Sequence, residues 1–317
     1  MQKAKFSLCK LKPKTPLHLG ERELFYETTE VYIHSDTLFS AFCHSYLLLY
    51  GEKKLNLLLE RFKHSPPFII SSCFPWWEDE LYFPIPENQI SKDKRIKKKI
   101  FVEKEEFEEL IRGKSIENVS FEKFIDEEKK PYFKTVVPRI ALSRLNNNPG
   151  ENYFHFGEVF YRENAGLFFL YKLNDFSIEK EFKTTIFLMC DEGIGGDRSV
   201  GNGFFDVQKV VFENIEFNVP DISSSIILSL YSPLKREIED IKEGYYQIIT
   251  RSGYIYSPYT KSIRRKTVRM FKEASVFPST KIGKIVDVTP QGFNIHKVYR
   301  YGLAFSLPCK LEIKDEN

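Results

Sequence analysis

The segment Gly193-Ile194-Gly195-Gly196-Asp197-Arg198-Ser199-Val200-Gly201-Asn202-Gly203 places five glycines in eleven residues. Before it, Glu179–Asp191 carries apolar residues at Phe182, Ile186, Phe187, Met189 and Cys190. That spacing predicts a helix, and Gly193 suits the position just past its last turn. After it, Phe204–Phe212 reads as a strand. Glycine accepts positive φ and leaves backbone N–H groups open to close approach. A helix-to-strand loop of this kind can therefore cradle a phosphate or ribose, with Arg198 adding a charge-assisted contact. The same composition also describes a tight turn that holds no ligand. The Lys-Ser/Thr pair of a P-loop is missing, and the glycines follow a helix instead of opening one as in a dinucleotide fingerprint.

Toward the N-terminus, Ala4–Leu11 alternates apolar and polar residues and predicts a first strand. Ser35 is placed to cap a helix running to about Tyr50, with Asp36 favourable near its positive end. Leu55–Phe62 predicts a further helix, and Phe68–Phe74 and Leu81–Ile85 predict strands around the Trp76-Trp77-Glu78-Asp79 turn. Residues 90–130 are highly charged and read as an insertion, helical around Glu103–Arg112. Pro131–Arg162 reads as a long β-hairpin about the turn signal Asn146-Asn147-Asn148-Pro149-Gly150. Gly166–Leu173 adds a strand. Without the insertion the order is β-α-β-β-α-β, a ferredoxin-like pattern. A second unit begins near Val219–Asp221, with a strand at Ser224–Tyr231 and a short helix from Ser232 and Pro233 to Lys242. Strand-like segments follow at Tyr245–Thr250, Thr267–Phe271, Lys284–Val288 and Val298–Leu307. The expected fold is α+β. Residues 1–219 form a ferredoxin-like (RRM-like) domain holding the charged insertion and hairpin at about 90–165, and residues 220–317 form a degenerate second one.

The 317 residues are 42% hydrophobic and 29% charged, fitting a globular chain with a core. No apolar run approaches the ~18 residues of a membrane span. The N-terminus lacks the features of a signal peptide, so a cytoplasmic location is expected. The cysteines, Cys9, Cys43, Cys73, Cys190 and Cys309, are scattered without metal-ligand spacing and read as buried thiols; neither metal nor cofactor is expected. The net charge of +3 is modest, but the charges are segregated. One basic run spans Lys92–Lys99, and another comprises Lys261, Arg264, Arg265, Lys266, Arg269 and Lys272. Such segregation is the footprint of a polyanion binder. The first run equally describes a solvated loop; the second, interleaved with Ile263, Val268 and Met270, favours RNA contact. Trp76 and Trp77 read as core or a subunit contact. None of His18, His34, His44, His64, His155 and His296 falls into a recognisable acid–base set.

A helix ending in GIGGDRSVGNGFF resembles the glycine-rich loop of the RAMP superfamily of CRISPR proteins. HSDTLFSAF (His34–Phe42), MFKEASVF (Met270–Phe277) and VYRYGLAFSLP (Val298–Pro308) resemble its Csm subunit four branch of type III-A systems, related to the Cas-five group. The resemblance implies two ferredoxin-like domains and a non-catalytic subunit that grips the 5′ repeat-derived tag of the crRNA. Its neighbours would be the large palm-domain subunit and a backbone RAMP subunit, with no membrane involved. It also implies a thumb-like hairpin that wedges into RNA. Lys134–Arg162 matches that element, with Lys134, Arg139 and Arg144 as its cations. The other expected RNA contacts are His34, Ser35, Gly195, Gly196, Arg198, Ser199, Gly201, Gly203, Lys261, Arg264, Arg265 and Arg269. The loop departs from the family at Asp197, where a basic residue is usual, so that position is a poor phosphate contact. Related RAMP endoribonucleases cleave RNA by acid–base attack through the 2′-OH, so repeat processing through His34 or His18 is the enzyme alternative. A scaffold touching only proteins is a third reading.

Overall fold

Gln2–Leu11 forms β1, whose C-terminal half buries Leu8, Cys9 and Leu11 on its two faces while Lys3 and Lys5 near its start face solvent. In a computed structural model that describes residues 2–20, 26–125, 130–140, 153–257 and 263–312, eleven more named elements complete the first unit. They are α1 (Ser35–His64), β2 (Phe68–Ile70), β3 (Phe74–Trp77), β4 (Glu80–Pro84), β5 (Phe101–Glu103), α2 (Lys104–Ile111), β6 (Tyr132–Ile140), β7 (Tyr153–Tyr161), β8 (Ala165–Leu173), α3 (Glu179–Glu192) and β9 (Val211–Val219). The main sheet runs β5-β4-β3-β8-β1-β9, with β2 also on β8, and every pairing is antiparallel. The β9-β1-β8-β2/β3 segment sets the fourth, first, third and second strands of a β-α-β-β-α-β unit side by side, the ferredoxin-like arrangement.

β8 is buried along seven consecutive residues because both faces of the sheet are covered. Phe42, Phe68, Tyr171 and Phe182 pack α1 and α3 onto one face. Phe74, Phe83, Phe107, Phe168 and Phe217 fill the other. The charged insertion thus contributes core: Phe101, Val102, Phe107, Leu110 and Ile111 are fully buried, and β5 extends the sheet.

Several local expectations shift. α1 breaks at Gly51 (φ 80°), where Gly51-Glu52-Lys53-Lys54 interrupts the apolar pattern, so the two expected helices share one kinked rod. Its N-cap is His34 without a side-chain capping bond; Ser35 is the first helical residue and is turned inward. The last strand begins at Val211 and not at Phe204, because Asp206 accepts from the Gln208 N–H and tightens residues 207–209 into a 3-10 turn. Alternating Ile215, Phe217 and Val219 then supply the buried face of β9.

Beyond Val219 the strands are short: β10 (Ser225–Ile227), β11 (Ile248–Arg251), β12 (Val268–Phe271), β13 (Val276–Phe277), β14 (Val286–Asp287), β15 (Tyr299–Arg300) and β16 (Ser306–Pro308). They pair as β13-β10-β16, β11-β12 and β14-β15. The helix expected after Pro233 appears as two 3-10 turns, Lys235–Glu237 and Glu239–Glu243, so the described residues here hold antiparallel strands without an α-helix. The two units share one core. Phe6 packs on Phe305 and Phe39 on Tyr301, each at 5.0 Å, and the Tyr301 hydroxyl accepts from the Ile70 N–H.

Cys9, Cys73, Cys190 and Cys309 are buried, and burial pushes their thiols up, the Cys190 thiol to about 12. Among the described residues no His, Cys, Asp and Glu cluster is arranged to hold a metal, and no helix is long and apolar enough to cross a membrane. Trp76 is structural: its indole N–H lies 3.1 Å from the Leu167 carbonyl and 3.3 Å from that of Leu11, against Gly166.

Candidate nucleic-acid interface

The segment Pro16–His18 lies between the base of the β6–β7 hairpin and the glycine loop. Leu17 exchanges backbone hydrogen bonds with Val159, both 2.9 Å. On its other side the Gly196 N–H donates to the His18 carbonyl at 2.9 Å and the Gly203 N–H to the Pro16 carbonyl at 2.8 Å. Gly195 (φ 102°) and Gly203 (φ 85°) are required by this approach, since a Cβ would stand 2.5 Å from the His18 carbonyl oxygen and 2.4 Å from that of Ile194. Part of what the glycines do is therefore to press the loop onto its neighbours. The N–H groups of Gly196 and Gly203 already have protein partners.

Asp197 has its explanation in the same assembly. Its carboxylate accepts from Arg139 of β6 at 2.7 Å, and Arg139 also donates to Glu158 of β7 at 2.6 Å while stacking on Phe156 at 4.4 Å. Asn202 reaches the same Glu158 oxygen at 3.1 Å. A basic residue at position 197 would repel Arg139. The acid instead ties hairpin to loop.

In front of this assembly opens a cleft of about 1440 Å³. Its near wall holds His18, His34, Gly195, Gly196, Arg198 and Ser199; its far wall, from the second unit, holds Arg251, Tyr254, Tyr256, Arg265 and Arg300. Arg198 stacks on Tyr256 at 4.7 Å, bridging the walls, and Arg264 stacks on Tyr254 at 5.3 Å. Tyr256 is 68% exposed and Tyr254 47%. These are surfaces on which a base can stack.

The cleft floor is a buried ionic network that crosses between the units. Asp36, whose side chain is 0% exposed, is gripped by Arg251 at 2.9 and 3.0 Å and by Arg300. Burial opposes its ionisation, but the two guanidiniums hold the carboxyl far below its usual range. Beside it, His34 bonds through Nδ1 to Glu273 at 2.8 Å, with Glu30 3.8 Å from Nε2. Burial alone would lower this imidazole; the Glu273 carboxylate outweighs it and raises it to about 9. Ser72 also donates to Glu273.

The expected contacts thus separate. His34, Gly195, Gly196, Arg198, Ser199 and Arg265 line the cleft. Ser35 is fully buried, and its hydroxyl accepts from the Leu230 N–H at 3.0 Å. Gly201, Arg264 and Arg269 are exposed outside the lining, and Lys134 lies on the exposed face of β6. Gly203 is buried beneath the loop. Arg144, Lys261 and the Asn146–Gly150 turn lie outside the described residues. Arg251, Arg300, Tyr254 and Tyr256 were not singled out from the sequence. Each stands isolated in a strand or loop, and only the conjunction of an acid at a helix start with distant arginines could have signalled the first two.

The RAMP superfamily model matches residues 10–206, and the CRISPR Csm4 C-terminal domain model matches residues 221–309. The CRISPR system Cms protein Csm4 of Methanocaldococcus jannaschii is 27% identical, covering 94% of this chain and 96% of that one. Its counterpart from Thermococcus onnurineus is 26% identical over 97% of this chain and 98% of its own. Among solved structures, the fold is similar to a chain of the Csm3-Csm4 subcomplex of the type III-A CRISPR-Cas interference complex, at TM-score 0.66 and 22% identity over 96% of this chain and 99% of that one. It is similar also to a chain of the Csm1-Csm4 cassette in complex with cA4, at TM-score 0.64 and 21% identity over 98% and 100%.

Proposed function

This chain belongs to the RAMP superfamily and carries a C-terminal domain of the Csm4 type, and from that premise we propose that it is the RNA-binding subunit of a type III-A CRISPR interference complex. In this reading it caps the 5′ tag of the crRNA, anchors the large palm-domain subunit, contacts a backbone RAMP subunit and cleaves nothing. The solved complexes of similar chains with Csm1 and with Csm3 support the two protein neighbours. The observation that carries the RNA role is the cleft, where glycine loop and hairpin base face the exposed Tyr254 and Tyr256 and the half-buried Arg265 of the second unit. Phosphates would meet Arg198 and Arg265, with bases splayed on Tyr254 and Tyr256, as single-stranded RNA is usually held. The hairpin leaves Phe133, Val136, Ile140 and Tyr153 about half exposed, a surface suited to wedging between bases or subunits. We divide the chain functionally near residue 219, with the tag lying across the division.

One further observation supports the non-catalytic reading. A general base must be neutral and free to accept a proton. His34 is instead held protonated by Glu273. The test is binding and cleavage read together, without metal, on labelled repeat-spacer RNA and mature tagged crRNA. Tag-dependent binding with intact RNA is expected; cleavage at a fixed position, lost in His34→Ala or His18→Ala, would overturn the proposal.

A further inference from the structure

The two basic runs of the sequence, far apart in the chain, meet at a second cavity. Lys97, Lys98 and Lys99, on and after a 3-10 turn, line it from one side, and Lys272, just past β12, from the other. Its volume is about 370 Å³, at the lower end of ligand-sized pockets. Among the described residues none of these four lysines is in an ion pair. Lys99 stacks on Phe121 at 4.3 Å, and Lys97 and Lys98 are exposed. Of the carboxylates that line the cavity, Glu273 is taken by His34, and Glu87 is held by Gln247 at 3.1 Å with its acidity weakened by burial. The local charge is therefore positive. The walls also offer Ile90, 73% exposed, Ile100, 51% exposed, and Ile85. The cavity adjoins the main cleft: Tyr32 lines both, and Gln247 lines this one while Ile248, the next residue, lines the other.

We propose that this cavity is a second RNA contact, taking one nucleotide of a single strand with its phosphate on the lysine rim and its base against the isoleucines. The site rests on the reading of the chain as a crRNA-binding subunit, and extends it by giving the strand a route past β11 after it leaves the main cleft. Mobile, hydrated ammonium groups on a nucleotide-sized pocket suit a phosphate better than an acidic helix, which needs a long groove.

The test compares the full chain with the triple variant Lys97→Ala, Lys98→Ala, Lys99→Ala and with a charge-matched control at exposed Lys53, Lys180 and Lys242. Each is titrated over a range of salt with the tag alone and with the tag joined to its spacer. Each phosphate contact to a single strand contributes ~0.7 to the slope of log K against log salt, so losing the one phosphate seated on the rim lowers the slope by about 0.7 and weakens binding at ~0.1 M salt by roughly fivefold. That loss is expected for the longer RNA in the triple variant alone, with the tag bound as before. An unchanged slope, or an equal drop in the control, removes the site and leaves the tag-binding function standing. If the wild-type chain binds neither RNA, function and site fall together. If the triple variant keeps wild-type RNA binding and loses co-purification with the large palm-domain subunit, the lysines serve an acidic protein surface and the RNA contact is refuted.

Discussion

Replacing Glu273 by Gln should convert a pH-dependent stability into a nearly flat one. His34 is 3% exposed and ion-paired to Glu273 at 2.8 Å, which raises it from an ordinary ~6.5 to about 9 despite burial. A group raised in the folded state binds a proton more tightly there than in the unfolded chain. Its stabilisation is complete below the unfolded value and disappears as pH climbs through the folded one. The separation of roughly 2.5 units is worth about 3 kcal/mol, most of which goes between pH ~6.5 and ~9. Against a total of ~5–15 kcal/mol for a folded domain this is a large fraction. Gln keeps the shape of Glu273 and removes the counter-charge, so the buried imidazole stays neutral across the window. Urea titrations of wild type and Glu273→Gln at pH 6.5, 7.5, 8.5 and 9 measure this directly. The buried thiols also erode stability toward high pH, but they do so in both proteins and cancel in the difference. The gap between the two curves should be widest at pH 6.5 and close by about 2–3 kcal/mol at pH 9. Parallel curves would refute the ion pair as the source of the protonated His34.

Asp36→Ala should cost ~3–5 kcal/mol and loosen the two units, because it strands Arg251 and Arg300 as buried charges without their shared carboxylate; thermal melting and limited proteolysis near residues 219–225 check this. Gly203→Ala forces a Cβ to 2.4 Å from the Ile194 carbonyl oxygen at a φ of 85°, so it should destabilise by at least ~1–3 kcal/mol and weaken tagged-RNA binding, seen by calorimetry and filter binding. Tyr256→Ala should leave the melting temperature nearly unchanged and weaken RNA binding by ~1–3 kcal/mol through lost stacking; unaltered affinity would remove the tyrosine from the interface. Arg139→Ala combined with Arg144→Ala should weaken binding, while Asp197→Asn, which frees Arg139 from one carboxylate, separates the hairpin–loop tie from direct contact: binding retained in Asp197→Asn assigns Arg139 to RNA, and binding lost in both assigns it to positioning.

Much of the architecture follows from local chemistry that a sequence displays. α3 ends at Gly193 because the left-handed backbone there suits glycine, and the hairpin strands Tyr132–Ile140 and Tyr153–Tyr161 pair as their extended pattern requires. The break at Gly51 coincides with the interruption of an apolar stripe. The family resemblance likewise rested on contiguous words such as GIGGDRSVGNGFF. Reading failed where a neighbour distant in sequence decided the outcome. The insertion at 90–130 reads as highly charged and helical around Glu103–Arg112, and nothing along the chain showed that its apolar residues cap the second face of the sheet. Asp206 moved the last strand by several residues through one side-chain bond to the backbone.

The candidate site shows the same division. Composition alone picked out a glycine loop and two basic runs, because backbone freedom and clustered charge are properties of adjacent residues. It could not tell that Asp197 neutralises Arg139, that Ser35 is spent on the Leu230 N–H, or that His34 is locked to Glu273. Nor could it bring Arg251 and Arg300 onto Asp36, or the Lys97–Lys99 run to Lys272. Those pairings have no signature along the chain. Electrostatic attraction and burial act through space, so only the folded arrangement of the two units fixed which charges meet and which remain open to a ligand.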